Sequence, residues 1–328
     1  MRRWIVLLVL LALGGGYLAT RGEDAPPVPT PAGAFSFVVL GDAPYFAWEQ
    51  AKYRRILREI DARDVQFVVH VGDILWKPCA DERYRQTYDE FAGLRHPVIY
   101  TPGDNEWADC WEAGAGGFAP LERLGALRAL FFREPDRSLG RRRIPLTHQG
   151  QQPAFAEFVE NARWSHDRIV FATVHVVGSA NGTDAFPSRS AADVTAASRR
   201  IAAAAAWVRQ TFAEASAAGA PAVVIALHAN PFFERPARAR HQAFTPFLEA
   251  LEEEAARFQG HVLVLHGDHH VYVVDHPVTT GPGVALSHVT RVQVPGSPII
   301  GWVRVTIAAG TKDPFAFEPH TIPAWQYW

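Results

Sequence analysis

The sequence is poor in several features that would otherwise direct its reading. It has two cysteines and one methionine, and all but three of its 32 basic residues (Lys52, Lys77 and Lys312) are arginine. No glycine-rich run leads into any of those lysines, which excludes a GxxxxGK[ST] phosphate loop. GxSxG elbows, HExxH helices and SxxK motifs are absent as well, removing several large hydrolase classes. Composition also excludes a polytopic membrane protein, a collagen and an intrinsically disordered chain. A formal net charge of -2 leaves no basic field to attract nucleic acid. What remains is ordinary globular material. The 328 residues are 48% hydrophobic and 20% charged, ample for a core and long enough for one large domain or two small ones.

Arg2 and Arg3 precede an apolar run from Trp4 to Leu13, followed by Gly14 to Ala19. A positive segment before a short apolar one reads as a secretory signal. No clean small-residue cleavage site comes after it, so a cleaved signal and a retained inner-membrane anchor (residues 1–22) both stay open. Pro26, Pro27, Pro29 and Pro31 mark residues 23–34 as a linker. The expectation is an exported chain, periplasmic or anchored facing the periplasm, with its folded domain over 35–328. Cys79 and Cys110 fit that compartment, where a disulfide between them would contribute ~3–4 kcal/mol in the chain-entropy model.

Strand-length apolar runs then alternate with helical patterns. Phe35–Leu40, Val65–Val71 and Pro97–Thr101 read as strands, with helices over Trp48–Ala62 and Asp81–Leu94 between them. This order implies parallel strands joined by right-handed crossovers. A helix is expected at Leu121–Phe132, a hairpin around Ser165-His166-Asp167, and an alanine-rich helix over Ser190–Ala218. Ala222–Leu227 and His261–Leu265 read as strands flanking a helix over Arg238–Phe258. The rest, through Ile307, reads as antiparallel strands. Arg141-Arg142-Arg143 lies in an irregular basic stretch, read as a solvated loop or as a site for an anionic group. The expected architecture is a single α/β domain, a two-sheet sandwich flanked by helices in α-β-β-α layers.

The chemistry lies at the strand ends. The first three strands end in Gly41-Asp42, Gly72-Asp73 and Gly103-Asp104-Asn105-Glu106. The later pair ends in His228-Ala229-Asn230 and His266-Gly267-Asp268-His269-His270. In an open parallel sheet these ends share one edge, where ligand sites form. A single Gly-Asp after a strand is common turn chemistry. Four carboxylates brought to one crevice repel unless protonated or neutralised, and metal cations are the natural counter-charge.

This pattern resembles the calcineurin-like metallophosphoesterases over Phe35 to Ile307. That superfamily carries D-x-H, G-D-x-x-D, G-N-H-D/E, a lone His and G-H-x-H in chain order. Gly41-Asp42, Gly72-Asp73, Gly103 to Glu106, His228 and Gly267 to His270 stand at those places. The nearest likeness is to an exported bacterial branch with G-D-x-P-Y, P-G-D-N-E-W and H-G-D-x-H, read in Tyr45, Trp107 and His266. The departures are Pro44 for the first motif's His and Trp76 in the second. Asp104 and Asn105 stand for the third motif's Asn and His, and Asp268 for the first His of the fifth.

The resemblance implies two divalent cations. Asp42, Asp73 and His270 would hold the first, and Asp73, Asp104, His228 and Asp268 the second. So oxygen-rich a set favours Mn²⁺, Fe²⁺ or Mg²⁺ over Zn²⁺. The implied reaction is hydrolysis of a small phosphomonoester or phosphodiester by a metal-bridging hydroxide. A non-catalytic or single-metal binding protein is the alternative, because two family histidines are lost. With no histidine at position 105, the leaving-group acid falls to Asn105, His269 or Glu106. Tyr45, Asn181 and His175 are candidate substrate contacts, each with a packing or turn role as its plainer reading. His70 and His266 read as hydrogen-bonded core residues, Glu106 alternatively as a helix-orienting group, and Arg189 and Arg291 as phosphate clamps without a placement.

Overall fold

The computed structural model describes residues 33–233, 241–280 and 284–322. The expected signal or anchor at 1–22 and nearly all of the linker at 23–34 lie outside the described residues. Among the described residues, no helix is long and apolar enough to cross a membrane.

Two sheets carry the chain. The first has the order β14-β13-β1-β2-β3, with β1 (Phe35–Leu40), β2 (Val68–His70) and β3 (Val98–Tyr100) parallel. β13 (Gly301–Ile307) adds antiparallel to β1, and β14 (Phe315–Thr321) adds antiparallel to β13. The second sheet has the order β4-β5-β6-β7-β8-β12-β9. Its members are β4 (Thr147–His148), β5 (Ala162–His166), β6 (Ile169–Thr173), β7 (Ala222–Ala226), β8 (His261–His266), β9 (Val273–Asp275) and β12 (Val289–Gln293). β10 (Thr279–Thr280) and β11 (Val284–Ala285) form a separate small ribbon. The main helices are α1 (Gln50–Asp61), α2 (Asp81–Gly93), α3 (Pro120–Phe131), α4 (Ala191–Ala217) and α5 (Thr245–Arg257).

Strand periodicity builds the layers. On β1, Phe37 and Val39 face one way and Val38 and Leu40 the other. Phe37 and Val39 join Val69, Phe171, Val224, Leu263 and Val303 in the core between the sheets. Val38 and Leu40 instead pack under α1 and α2 with Tyr53, Ile56, Ile60 and Phe91. The second sheet repeats the arrangement, with Val223, Ile225, Val262 and Val264 beneath Trp207 and Val208 of α4 and Phe247 and Leu251 of α5. The result is the expected α-β-β-α order. α4 begins at a capping box, with Ser190 Oγ accepting from Asp193 N and Asp193 Oδ2 accepting from Ser190 N.

Two expectations are corrected. The closing strands are not all antiparallel, because β12 runs parallel to β8 from Val289↔Val262 to Gln293↔His266. The sheet also continues past Ile307 into β14, where Pro319 interrupts the alternation; β14 is an edge strand, where proline is tolerated. The Arg141–Arg143 stretch, by contrast, is the solvated loop of the two readings. Arg141 reaches Asp61, Arg142 donates to the Gln66 carbonyl, and Arg143 bonds Ser138 O and Glu134. Gln66 and Asp61 precede β2, whereas Asp73 comes after it.

Candidate metal centre

Five of the parallel strands hand chemical groups to a single crevice. Asp42 comes after β1, Asp73 after β2, Asp104 after β3, His228 after β7, and Asp268 and His270 after β8. Ligand atoms of Asp42, Asp73 and His228 lie within 4.8 Å of one another, and so do those of Asp104, His228 and Asp268. His228 belongs to both groups and joins the two sheets' contributions.

The backbone is distorted to achieve this. Asp42, Asp73, Asp268 and His270 all have positive φ, between 54° and 74°. Such conformations cost about 1–3 kcal/mol each for non-glycine residues and cluster at functional sites. Glycine is required at two close approaches. A Cβ on Gly103 would collide with the Asp73 carboxylate, and one on Gly267 with that of Asp42.

The imidazoles are oriented by backbone carbonyls. His228 Nδ1 donates to Val71 O at 2.8 Å, which turns Nε2 toward Asp104 Oδ1 (2.9 Å) and Asp73 Oδ1 (3.4 Å). His270 Nδ1 donates to Ser297 O at 2.8 Å, leaving Nε2 3.7 Å from Asp42 Oδ1 and 3.1 Å from the Tyr45 hydroxyl. A second hydrogen bond that fixes the ring and presents the opposite nitrogen is the usual support of a metal-ligating histidine.

This donor set fits a divalent cation. His228 Nε2, Asp104 Oδ1 and Asp42 Oδ2 are buried and have no hydrogen-bond partner among the described residues. Lone pairs therefore face lone pairs across the crevice. Burial pushes the Asp42 carboxyl up to about 7, and burial likewise raises Asp73 and Asp268. Burial opposes a charged His228, yet Asp73, Asp104 and Asp42 around it hold its pKa well above the ordinary imidazole value. Burial would raise Asp104 too, but its contact with His228 holds it low. Without a cation the cluster must take up protons.

The other expected site residues fall around this core. Asp73 Oδ2 accepts from the Tyr45 hydroxyl and, at 2.7 Å, from Asn105 Nδ2. Glu106 lies beneath, where its Oε1 accepts from Gly103 N, Asp73 N and the Tyr100 hydroxyl. That arrangement makes it a brace for the Asp73 and Asp104 loops. His269 is exposed at the edge, its Nδ1 3.0 Å from Asn230 Nδ2, while Asn230 N donates to Asp268. Cys79 and Cys110 form a disulfide that ties the segments after Asp73 and Asp104 together. His70 and His266 are buried, and burial lowers each to about 3.

Asn181 and His175 are not brought to the cluster. Asn181 Oδ1 accepts from Arg200 and Val177 N, and its Nδ2 donates to Ala243 O. His175 Nδ1 lies 2.7 Å from Glu160, which also receives two bonds from Arg128. Arg189 bonds the carbonyls of Thr183 and Asp184, and Arg291 makes a two-pronged pair with Asp275.

Ser179 is a site residue that sequence reasoning misses. Its Oγ bonds both Asp104 Oδ2 (2.9 Å) and Asp109 Oδ1 (2.7 Å). It opens a turn (Gly178–Gly182) in which Ser179, Ala180 and Asn181 are successively left-handed, a run costing about 1–2 kcal/mol per residue. The glycines at its two ends are its only sequence signal.

No family model matches the chain, and no curated protein does. Among solved structures, it is similar to a Staphylococcus aureus protein provisionally named a 5'-nucleotidase, at 11% identity and TM-score 0.43. That match covers 89% of this chain and 54% of that one, so this chain spans about half its length. It is also similar to a phosphatase from Mycoplasma pneumoniae, at 12% identity and TM-score 0.44, over 88% of this chain and 93% of the other. Likenesses this distant carry no weight for the chemistry.

Proposed function

We propose that the chain is an exported, metal-dependent phosphoesterase acting on a small phosphorylated substrate. The observation that carries the reading is the pair of carboxylate–imidazole groups sharing His228 at the ends of five strands. His228 presents a single nitrogen and serves one cation. Asp42, Asp73 and His270 would hold one divalent ion, and Asp104, His228 and Asp268 another, with Asp73 within reach of both. Bound there, such ions supply Lewis-acid polarisation of a phosphoryl oxygen and lower the pKa of a water molecule.

The chain's own residues do the rest. Tyr45 and Asn105 fix the Asp73 carboxylate from two directions. Asn105 has no titratable proton, so it orients and does not act as the acid. Glu106 braces the Asp73 loop from below. His269, exposed and steadied by Asn230, is the group able to pass a proton to a leaving oxygen, a contribution typically worth ~10²–10⁴-fold. The disulfide supports an oxidising compartment such as the periplasm.

The test is metal content by elemental mass spectrometry, after loading with Mn²⁺, Fe²⁺ or Zn²⁺, alongside hydrolysis of phosphomonoesters and phosphodiesters. About two ions per chain with metal-dependent hydrolysis is the expected result. No bound ion under any loading, with no hydrolysis, would leave a binding protein on this fold.

A further inference from the structure

A cavity of about 210 Å³ lies beside the Asp104 end of the centre, between α3, the left-handed turn and α4. Trp107, Trp111, Phe158 and Phe186 give it aromatic walls, while Gly182, Ala196 and Ala197 leave its space open. Ser179 also lines it, and the Ser179 hydroxyl bonds Asp104. The cavity is therefore one side chain away from a candidate metal ligand.

Trp107 is the fixed part of this wall. Its ring lies edge-on to His175 at 5.5 Å and carries the Arg200 guanidinium at 5.2 Å. It is only 3% exposed, so the ring is held in place by its neighbours.

The charges decide what else the cavity tolerates. Arg128 and Arg200 are committed to Glu160 and Asn181. Asp109, Glu157, Asp184 and Asp193 line the same space. An anionic guest meets these carboxylates with no unengaged arginine to offset them. Size is equally restrictive, since an apolar cavity of about 150 Å³ accepts a benzene ring. This cavity has room for one substituted ring.

Resting on the phosphoesterase reading, we infer that this cavity seats the organic group of the substrate: a single ring without negative charge. Trp111 and Phe186, stacked with ring centroids 5.8 Å apart, form its outer wall.

The experiment compares kcat/KM for phenyl phosphate and methyl phosphate in the manganese-loaded full chain and in two variants. Ala197→Phe fills the cavity, and Trp111→Ala removes part of its wall while leaving the buried core untouched. The phenyl-to-methyl ratio should fall about tenfold in Ala197→Phe and about threefold in Trp111→Ala. The intrinsic reactivity of the two leaving groups cancels between proteins. An unchanged ratio in both variants overturns the inference.

Phenol binding, read by tryptophan fluorescence, separates this claim from the one it rests on. Saturable binding lost in Ala197→Phe, with neither ester hydrolysed, keeps the cavity and sinks the phosphoesterase reading. No saturable phenol binding to the wild type overturns the cavity whatever the esters do.

Discussion

Two buried ionic clusters lie side by side in this molecule, and they are built on opposite rules. In one, Glu160 accepts two bonds from Arg128 and a third contact from His175, with Arg200 nearby. Cations match the anion, and Glu160, although fully buried, is held down to about 2, because Arg128 and His175 outweigh its burial. In the other, Asp42, Asp73, Asp104 and Asp268 surround His228, and burial raises three of the four carboxyls. In the first cluster the carboxylate is fully matched, and only the far imidazole nitrogen of His175, Nε2, lacks a partner among the described residues. The second is incomplete, with three buried ligand atoms left without a partner among the described residues and four strained backbones. A buried charge matched by its neighbours holds structure together. A buried charge left unmatched waits for a ligand.

The largest effect expected from this contrast is on activity. Asp73→Asn should lower hydrolysis by about 10³-fold or more, the equivalent of several kcal/mol of transition-state stabilisation. It should also lower the number of bound ions measured by elemental mass spectrometry. The metal-free variant should melt no lower than the metal-free wild type, because a repelling buried carboxylate has gone. Full activity in Asp73→Asn would make the unmatched cluster as inert as the matched one.

Glu160→Gln probes the other side of the contrast. Removing the anion leaves Arg128 and the buried His175 without their partner, which costs about 3–5 kcal/mol for a buried pair. Urea unfolding should show that loss, while metal content per folded chain stays at the wild-type value. A variant that kept its stability but lost its metal would make the two clusters one functional unit.

The two clusters also differ in how visible they are in the sequence. Asp42, Asp73, Asp104, His228 and Asp268 are legible because each stands just past an apolar run, and parallel strands deliver their ends to one edge. The layer order is legible for the same reason, since two-residue alternation on β1 assigns Phe37 and Val38 to different cores. The Glu160 network is not. Arg128 sits on a helix, Glu160 in an irregular segment and His175 just past a strand, and no local period links them. His175 therefore reads as a crevice residue, although Glu160 holds it in the matched cluster. Ser179 and its left-handed turn are hidden too, because non-glycine residues with positive φ are imposed by tertiary contacts and leave little trace in the sequence. The parallel partnership of β12 with β8 escapes the sequence because pairing direction is set by the chain's path between strands, not by their composition.

The smallest effect, and the finest test of the contrast, is the direction in which pH moves stability. In the centre, the Asp42 carboxyl is raised from 3.8 to about 7 and His228 is also raised. Groups raised in the fold stabilise it at low pH, and that contribution is lost as pH climbs through the folded value. The metal-free chain should therefore lose stability from about pH 4 to pH 7 on account of this cluster, with His270, lowered by burial, opposing across the upper part of that range and Asp104 opposing only below it. The Glu160 network runs the other way. Burial lowers His175 from 6.5 to about 4, and Glu160 is lowered from 4.5 to about 2. Its contribution is complete near neutrality and fades as pH falls through those values. Urea midpoints of chelated protein should show a decline toward pH 7 that Asp42→Asn reduces, and a decline below about pH 4.5 that Glu160→Gln reduces. Saturating divalent cation should remove only the first, since it supplies the missing counter-charge at one cluster and has nothing to add at the other. Parallel curves for chelated wild type and Asp42→Asn between pH 4 and 7 would mean that burying Asp42 carries no charge penalty, and the distinction between a structural and a ligand-seeking cluster would fail at its clearest residue.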